Sequence, residues 1–194
     1  VLACRSAIQM KKAEAELNKV ILSDGESPSE IFTRMGINTG DMVVGNMGTK
    51  SKMNYTIMGN AVNLASRLEG VNKQYNTKGI MCSEDTKEQL GDMFVVRRLD
   101  RVRVVGVNTP IRLYEVIEET ANASHELIRH VSEWEKALDL YESRKFTEAK
   151  TGFDALVAAD ADDKVSVLYS TRCADFLKTP PQSDWDGVFN LTQK

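Results

Sequence analysis

Two polar residues of one segment, Asn63 and Arg67, have the types and the spacing to act on a single ligand. They are four positions apart, so on a helix they lie one above the other on a shared face. A guanidinium stays charged at any working pH and can donate two hydrogen bonds to a phosphate. A carboxamide can position a group without adding charge. The spacing alone also fits a surface helix that carries two unrelated polar residues.

The segment around this pair predicts a helix with one buried side, ending near Tyr75. At about 100° per residue, the face that holds Asn63 and Arg67 points away from the apolar stripe. Gly59 interrupts the preceding run, and Asn60 is the predicted N-cap of the helix. The stripe at positions i, i+3, i+4 and i+7 consists of Ala61, Leu64, Ala65 and Leu68.

Composition excludes several classes of protein. With a net charge of −3 over 194 residues, the chain offers no basic surface for nucleic acid. No run approaches the about 18 apolar residues that span a bilayer, and no signal peptide opens the chain. The cysteines, Cys4, Cys82 and Cys173, are odd in number and far apart. They predict buried, reduced thiols in a cytoplasmic protein rather than a disulfide framework or a zinc site.

Strands and helices interleave over residues 1–118 and predict the α+β class. A helix is predicted over 1–22, and strands over 31–38 and 42–45 are expected to pair as a hairpin, with 46–54 as a polar connection. Ser83 is the predicted N-cap of a helix that ends near Gly91. The remaining strands are predicted at 79–82, 93–99, 101–105 and 111–117.

The end of the chain predicts a separate helical region. Residues 119–124 read as a linker, and 125–194 as a helical tail. The spacing of apolar residues in the tail resembles one tetratricopeptide (TPR) helix pair, about one residue short of that consensus. A single pair of this kind cannot bury its own apolar face. We therefore expect the tail to lean on the rest of the chain or on a protein partner.

Three segments together resemble the class III nucleotidyl cyclases. They are Gly36–Gly40, Val43–Gly48 and Tyr55–Arg67, which follow the family patterns G-I-x-x-G, V-x-G-x-x-G and Y-x-x-x-G-x-x-V-N-x-A-x-R. The resemblance covers residues 1–118 and implies the C-terminal part of a ferredoxin-like catalytic domain. Members of this family convert a nucleoside triphosphate into a 3′,5′-cyclic monophosphate and pyrophosphate.

The resemblance assigns roles to three residues of this chain. Arg67 matches the arginine that steadies the α-phosphate, and Asn63 matches the asparagine that orients the ribose. Thr56 falls where the family reads the base. Its hydroxyl can both donate and accept, which favours ATP and an adenylate cyclase, with a guanylate cyclase as the alternative. A β-branched strand residue without any contact to the base also fits this position.

At one position the chain departs from the family pattern. Many members carry a lysine that contacts the terminal phosphates just before the glycine that corresponds to Gly106, and this chain has Val105 there. Arg103 lies two residues earlier on the same face of the predicted strand and is a weak candidate to replace that lysine. Lys50 and Lys52 are weaker candidates still.

The metal ligands of the family lie upstream of the first helix. We therefore expect no metal site in this chain, and we expect Mg²⁺ or Mn²⁺ to be held by aspartates before residue 1. Asp24 and Asp41 do not match that motif. The chain starts at Val1, without Met and within a predicted helix, so we expect a larger parent protein. Many family members carry a sensor or a membrane segment upstream, and the same is expected of that parent.

Family members place their active sites at a two-fold dimer interface, which implies a homodimer for this chain. The expected contact segments are 42–48 and 53–58. The resemblance predicts ATP as the ligand and predicts that this chain alone is inactive, because half of the catalytic groups are missing. The remaining alternative is a non-catalytic interaction module that retains a cyclase-like fold.

Overall fold

In a computed structural model of the protein, the described residues are 1–24, 30–103 and 110–190. The predicted α+β class is confirmed. The helices are α1 (Leu2–Asp24), α2 (Asn60–Tyr75), α3 (Glu84–Leu90), α4 (His125–Glu142), α5 (Phe146–Ala159) and α6 (Lys164–Lys178). The strands are β1 (Met35–Ile37), β2 (Val43–Thr49), β3 (Lys52–Met58), β4 (Ile80–Ser83), β5 (Phe94–Arg103), β6 (Ile111–Glu119) and β7 (Val188–Asn190).

Five strands form the main sheet, in the order β1-β4-β6-β5-β7. β1 runs parallel to β4, with Gly36 opposite Met81. β6 is antiparallel to both of its neighbours, β4 and β5. The strands predicted at 93–99 and 101–105 are one strand, β5, as far as the description extends, and residues 104–105 lie outside it. The register of β5 against β6 shifts between Arg98 and Arg101. This irregularity explains why the sequence pattern reads as two pieces.

The second sheet is a β2–β3 hairpin, and it corrects the predicted pairing. β2 pairs with β3 and not with β1, so the predicted hairpin of 31–38 with 42–45 is wrong. The predicted polar connection 46–54 lies mostly within the two strands, with Asn46 opposite Tyr55. Every residue of β3 is exposed. Because the hairpin buries little on either face, polar residues are tolerated on both of its faces. The sequence therefore lacks the alternation of apolar and polar residues that would indicate a strand.

The main sheet has a core on each face. Alternate residues of β4 point to opposite sides, so Ile80 and Cys82 join one core and Met81 the other. The first core receives Cys4, Ala7 and Ile8 of α1 and Leu90 of α3. The second core receives α2 together with the C-terminal helices. All three cysteines are buried and unpaired, as predicted.

The C-terminal helices share a core with α2 and the sheet. This core contains Tyr75 of α2, Leu113 of β6, Trp134 of α4, Phe153 of α5 and Tyr169 of α6. The segment predicted as a linker, 119–124, is ordered: Glu119 ends β6, and Thr120–Asn122 forms one turn of 3₁₀ helix. The likeness of α4 and α5 to a TPR pair stays a prediction.

Candidate active site

Gly59 sets the start of α2. Its φ of 149° lies in the region that favours glycine, and it occupies the N-cap position, so the predicted N-cap, Asn60, is instead the first helical residue. The backbone N–H of Asn63 donates to the carbonyl of Gly59 at 3.1 Å. The helix thus begins one residue earlier than expected. Asn63 and Arg67 lie in its first two turns.

Two glycines let the chain approach α2 closely. A Cβ on Gly36 would lie 2.2 Å from the carbonyl oxygen of Ala65 and 2.5 Å from the amide nitrogen of Glu69. A Cβ on Gly40 would lie 2.8 Å from the Cβ of Ala61. The backbone of α2 therefore rests directly on β1 and on the segment that follows it, and no larger side chain fits between them.

Asn38, between these glycines, fastens the start of α2 to the sheet. Its Nδ2 donates to the carbonyl of Ala61 at 3.0 Å, and its Oδ1 accepts from Ser83 Oγ at 2.5 Å. Ser83 is the N-cap of α3, as predicted, and accepts from the backbone N–H of Thr86. The sequence reasoning missed Asn38. The feature that could have identified it is its position as a polar residue between Gly36 and Gly40, where close packing against α2 excludes larger side chains.

The two faces of α2 differ as the spacing predicts. Leu68 and Tyr75 are fully buried, whereas Asn63 is exposed and Arg67 is half-buried. The amide and the guanidinium therefore lie on the side of the helix that the core leaves open. Their relative placement fits two groups that contact one ligand.

Arg67 has no protein partner within the described part of the chain. Glu69, two residues further along α2, pairs with Arg34 at 3.4 Å, and Asp41 is exposed in the segment before β2. A half-buried arginine normally finds a carboxylate or a carbonyl, because its five donors are costly to leave unpaired. An anionic ligand would satisfy these donors.

Thr56 lies on β3, opposite Gly45 of β2, and is exposed. β3 ends at Met58, and only Gly59 separates it from α2. The structure thus places Thr56 on the strand that leads directly into the helix of Asn63 and Arg67. Its hydroxyl has no hydrogen-bond partner among the described residues and is free to contact a ligand.

The candidates for the terminal phosphates lie in other parts of the fold. Arg103 is at the end of β5 and forms an ion pair with Asp186 at 2.8 Å. Lys50 and Lys52 are exposed at the tip of the hairpin. Val105 and Gly106 are outside the described residues. The engagement of Arg103 by a carboxylate sets it apart from Arg67.

The described residues contain no group of three or more His, Cys, Asp or Glu side chains that could hold a metal ion. Asp41 therefore belongs to no such group of possible ligands among the described residues. The side chain of Asp24 is outside the description. Burial raises the pKa of Cys82 and of Cys173 to about 12, so neither thiol is poised as a nucleophile. None of the helices in the described ranges is long and apolar enough to cross a membrane.

Comparisons with known proteins identify relatives of this chain. The model of the family described as the adenylate and guanylate cyclase catalytic domain matches residues 2–118. A terminal-differentiation-specific adenylate cyclase of Dictyostelium discoideum is 34% identical over 181 residues, which is 91% of this chain and 8% of that protein. Adenylate cyclase 1 of Rhizobium meliloti is 39% identical over 115 residues, 59% of this chain and 17% of that protein. This chain therefore spans less than a fifth of either relative.

Among solved structures, the adenylyl cyclase CyaB from P. aeruginosa superposes with a TM-score of 0.52 at 32% identity. The superposition covers 61% of this chain and 58% of that one. The Dictyostelium match is long enough to extend past residue 118 into the C-terminal helices, whereas the Rhizobium match has the length of the family segment.

Proposed function

The chain belongs to the adenylate and guanylate cyclase catalytic-domain family, and we propose that it supplies the nucleotide-contacting half of an adenylate cyclase site. The reaction converts ATP into 3′,5′-cyclic AMP and pyrophosphate. The observation that carries this proposal is the half-buried guanidinium of Arg67, which has no protein partner within the described residues and shares an open helix face with Asn63.

Arg67 acts on the charge that develops during the reaction. The ribose 3′-hydroxyl attacks the α-phosphorus, and negative charge grows on the phosphoryl oxygens and on the departing pyrophosphate. A cation at this position stabilises the transition state most when the protein already holds it in place before the reaction. The close packing of α2 on Gly36 and Gly40 holds the helix of Arg67 in this way.

Asn63 and Thr56 orient the nucleotide. Asn63 lies one helical turn before Arg67, and its amide hydrogen-bonds the ribose and aims the 3′-hydroxyl at the phosphorus. Thr56 contacts the edge of the base, where its hydroxyl can both donate and accept. This property favours ATP over GTP, and an assay that compares the two nucleotides tests the preference.

The residues present in the described ranges do not fit a metal site, so no step here is assigned to a metal. Mg²⁺ or Mn²⁺, the ions that class III cyclases use, would have to be held by groups outside this chain. The purified 194-residue chain is therefore expected to make no cyclic nucleotide. Turnover by this chain alone would contradict the division of catalytic groups proposed here.

A homodimer through the β2–β3 hairpin completes the proposal. Val44, Met53, Tyr55 and Ile57 are 49%, 63%, 75% and 44% exposed, and they share one face of the hairpin, where Val44 lies opposite Ile57. A contiguous exposed apolar surface of this kind marks an interaction site. In the proposed dimer, each hairpin covers its partner and brings the open face of α2 beside the other protomer.

The test is a cyclase assay on the full-length protein that contains this chain, with ATP and GTP compared in Mg²⁺ and in Mn²⁺. Arg67→Ala is expected to lower kcat by about 10²- to 10³-fold, the cost of removing one preorganised transition-state donor. Its nucleotide KM should change much less. The measurement is cyclic nucleotide formed per unit time, resolved by liquid chromatography.

Arg34→Ala is the matched control, because it removes another partly exposed arginine beside α2, one that pairs with Glu69. It should keep kcat within about twofold, as expected for an exposed ion pair. Near-full activity of Arg67→Ala would refute the role of this residue. Preferential use of GTP would identify a guanylate cyclase, and no product from either nucleotide would favour a non-catalytic module.

A further inference from the structure

The carboxyl end of α2 is tied to the C-terminal helix α6 through one buried carboxylate. Tyr75, the last residue of α2, is fully buried, and its hydroxyl donates to Asp100 Oδ2 at 2.6 Å. Asp100 lies in β5 and is itself buried. The same oxygen accepts from the guanidinium of Arg172 in α6. One carboxylate thus joins three elements that are distant in the sequence.

Arg172 strengthens this link by its position over aromatic rings. Its guanidinium carbon lies 5.4 Å from the ring centroid of Tyr75 and 5.0 Å from that of Tyr169. A cation over an aromatic face is attracted by the ring, most strongly where water is excluded. Burial, followed by the charge of Asp100, raises the pKa of Tyr75 well above its usual value, so the hydroxyl keeps its proton and donates.

We propose that Asp100 is a positioning residue, which fixes the carboxyl end of α2 against α6 and makes the C-terminal helices a working part of the catalytic unit. The inference rests on the proposed function of Asn63 and Arg67, which lie on the same helix. At its amino end α2 is fixed by Gly36, Gly40 and Asn38. The Asp100 link fixes the opposite end, so a rigid α2 needs both.

A second buried carboxylate anchors α6 to the sheet without touching α2, and it provides the control. Asp163, the N-cap of α6, pairs with Arg97 of β5 at 2.7 Å and accepts from Ser166 Oγ at 2.5 Å. Each carboxylate accepts from one arginine and from one hydroxyl, and each arginine pair crosses the boundary between α6 and the sheet. Tyr75→Phe and Ser166→Ala each remove one hydroxyl from a buried carboxylate, but only the first change touches α2.

The experiment compares these two variants in the full-length protein. Tyr75→Phe is expected to lower kcat by about ten- to a hundredfold, because a small displacement of positioned groups is costly in a catalytic step. Its KM for the nucleotide should stay within about threefold. Ser166→Ala should leave kcat within about twofold at a comparable loss of stability, measured by urea unfolding.

Hydrogen exchange of the amides of residues 60–67, read by mass spectrometry, tests the link without any activity. Tyr75→Phe should speed this exchange by about tenfold and Ser166→Ala should not, because local opening follows local stability. Unchanged exchange in Tyr75→Phe would overturn the link. Faster exchange with an unchanged kcat in an active enzyme would overturn the positioning role. An inactive wild-type protein would refute the proposed function, while the exchange comparison would still decide the link.

Discussion

Two arginines of this chain show opposite ways of keeping a charge in a protein. Arg67 is half-buried on the open face of α2, and it has no partner within the described residues. Arg97 is buried beneath the C-terminal helices, where Glu115 lies at 2.6 Å and Asp163 at 2.7 Å, and its guanidinium lies over the ring of Trp134. Burial alone would lower the pKa of Arg97, but the two carboxylates more than offset this and raise it.

The two arginines differ in whether their charge is paired within the protein. Each of the three nitrogen atoms of the Arg97 guanidinium donates to a buried carboxylate, so this charge is paired within the folded chain. The guanidinium of Arg67 lies on a well-packed helix and has no carboxylate partner among the residues that the structure describes. Arg97 therefore stabilises the fold, whereas Arg67 is available for the ligand proposed above.

The largest expected effect comes from exchanging each arginine for methionine. Arg97→Met should lower the free energy of unfolding by about 3–5 kcal/mol, because it leaves Glu115 and Asp163 buried without a counter-charge. Arg67→Met should change the same free energy by no more than about 0.5 kcal/mol, since no ion pair is lost. Urea unfolding followed by circular dichroism measures both. An equal loss of unfolding free energy in the two variants would contradict the view that only Arg97 stabilises the fold.

The buried cluster of Arg97, Glu115 and Asp163 should also make the stability of the protein depend on pH at acidic values. Burial would raise the pKa of Asp163, but the charge of Arg97 and hydrogen bonds from Arg97, Ser166 and His130 lower it well below its usual range. A carboxyl whose pKa is lower in the folded state than in the unfolded one stabilises the fold above the unfolded pKa of about 4. That stabilisation, about 2 to 3 kcal/mol for an ion-paired aspartate of this kind, is lost as the pH falls below 4.

Urea unfolding between pH 5 and pH 2 tests this response. The free energy of unfolding should fall more steeply in the wild-type protein than in Asp163→Asn, which lacks the titrating group. Arg67→Met should follow the wild-type slope, because Arg67 has no carboxylate partner within the described residues. An equally steep fall in Asp163→Asn would assign the acid response to other carboxyls.

The sequence predicted that Asn63 and Arg67 share one face of a helix, but it did not predict the buried ion-pair clusters, and the reason is the range of the interactions. Asn63 and Arg67 share a face because they are four positions apart on one helix, which is a local property. Tyr75, Asp100 and Arg172 meet across 25 and 72 positions of chain, and no pattern in one sequence encodes such a meeting. Their residue types were visible, but their partners were not.

The strand partners show the same limit. The pattern located β1 near its true position but paired it with the next strand, whereas the structure pairs it with β4, after the hairpin and α2. Periodicity tells which side of a strand is buried but not which strand lies beside it. β2 was predicted too short and β3 was not predicted at all, because an exposed hairpin has no buried side to produce an alternation.

The smallest expected effect is on stability, and it comes from substitutions at two glycines, one packed against α2 and one on its exposed side. Gly36→Ala should lower the free energy of unfolding by about 1–3 kcal/mol, the usual cost of overpacking. Its new Cβ would meet the backbone of Ala65 and Glu69, which cannot turn aside as a side chain could. Activity should fall as well, because α2 must move to admit the methyl group.

Gly70→Ala is the matched change on the exposed side of the same helix, where a Cβ would meet nothing within 4 Å. It should raise the free energy of unfolding by about 0.5–1 kcal/mol, because alanine loses less backbone freedom than glycine when a helix forms. The two variants add the same single methyl group to the molecule. Opposite signs would therefore show that the chain is tightly packed against α2 at Gly36 and that α2 has free space at Gly70. A gain in both would mean that the close approach at Gly36 is not needed to position Asn63 and Arg67.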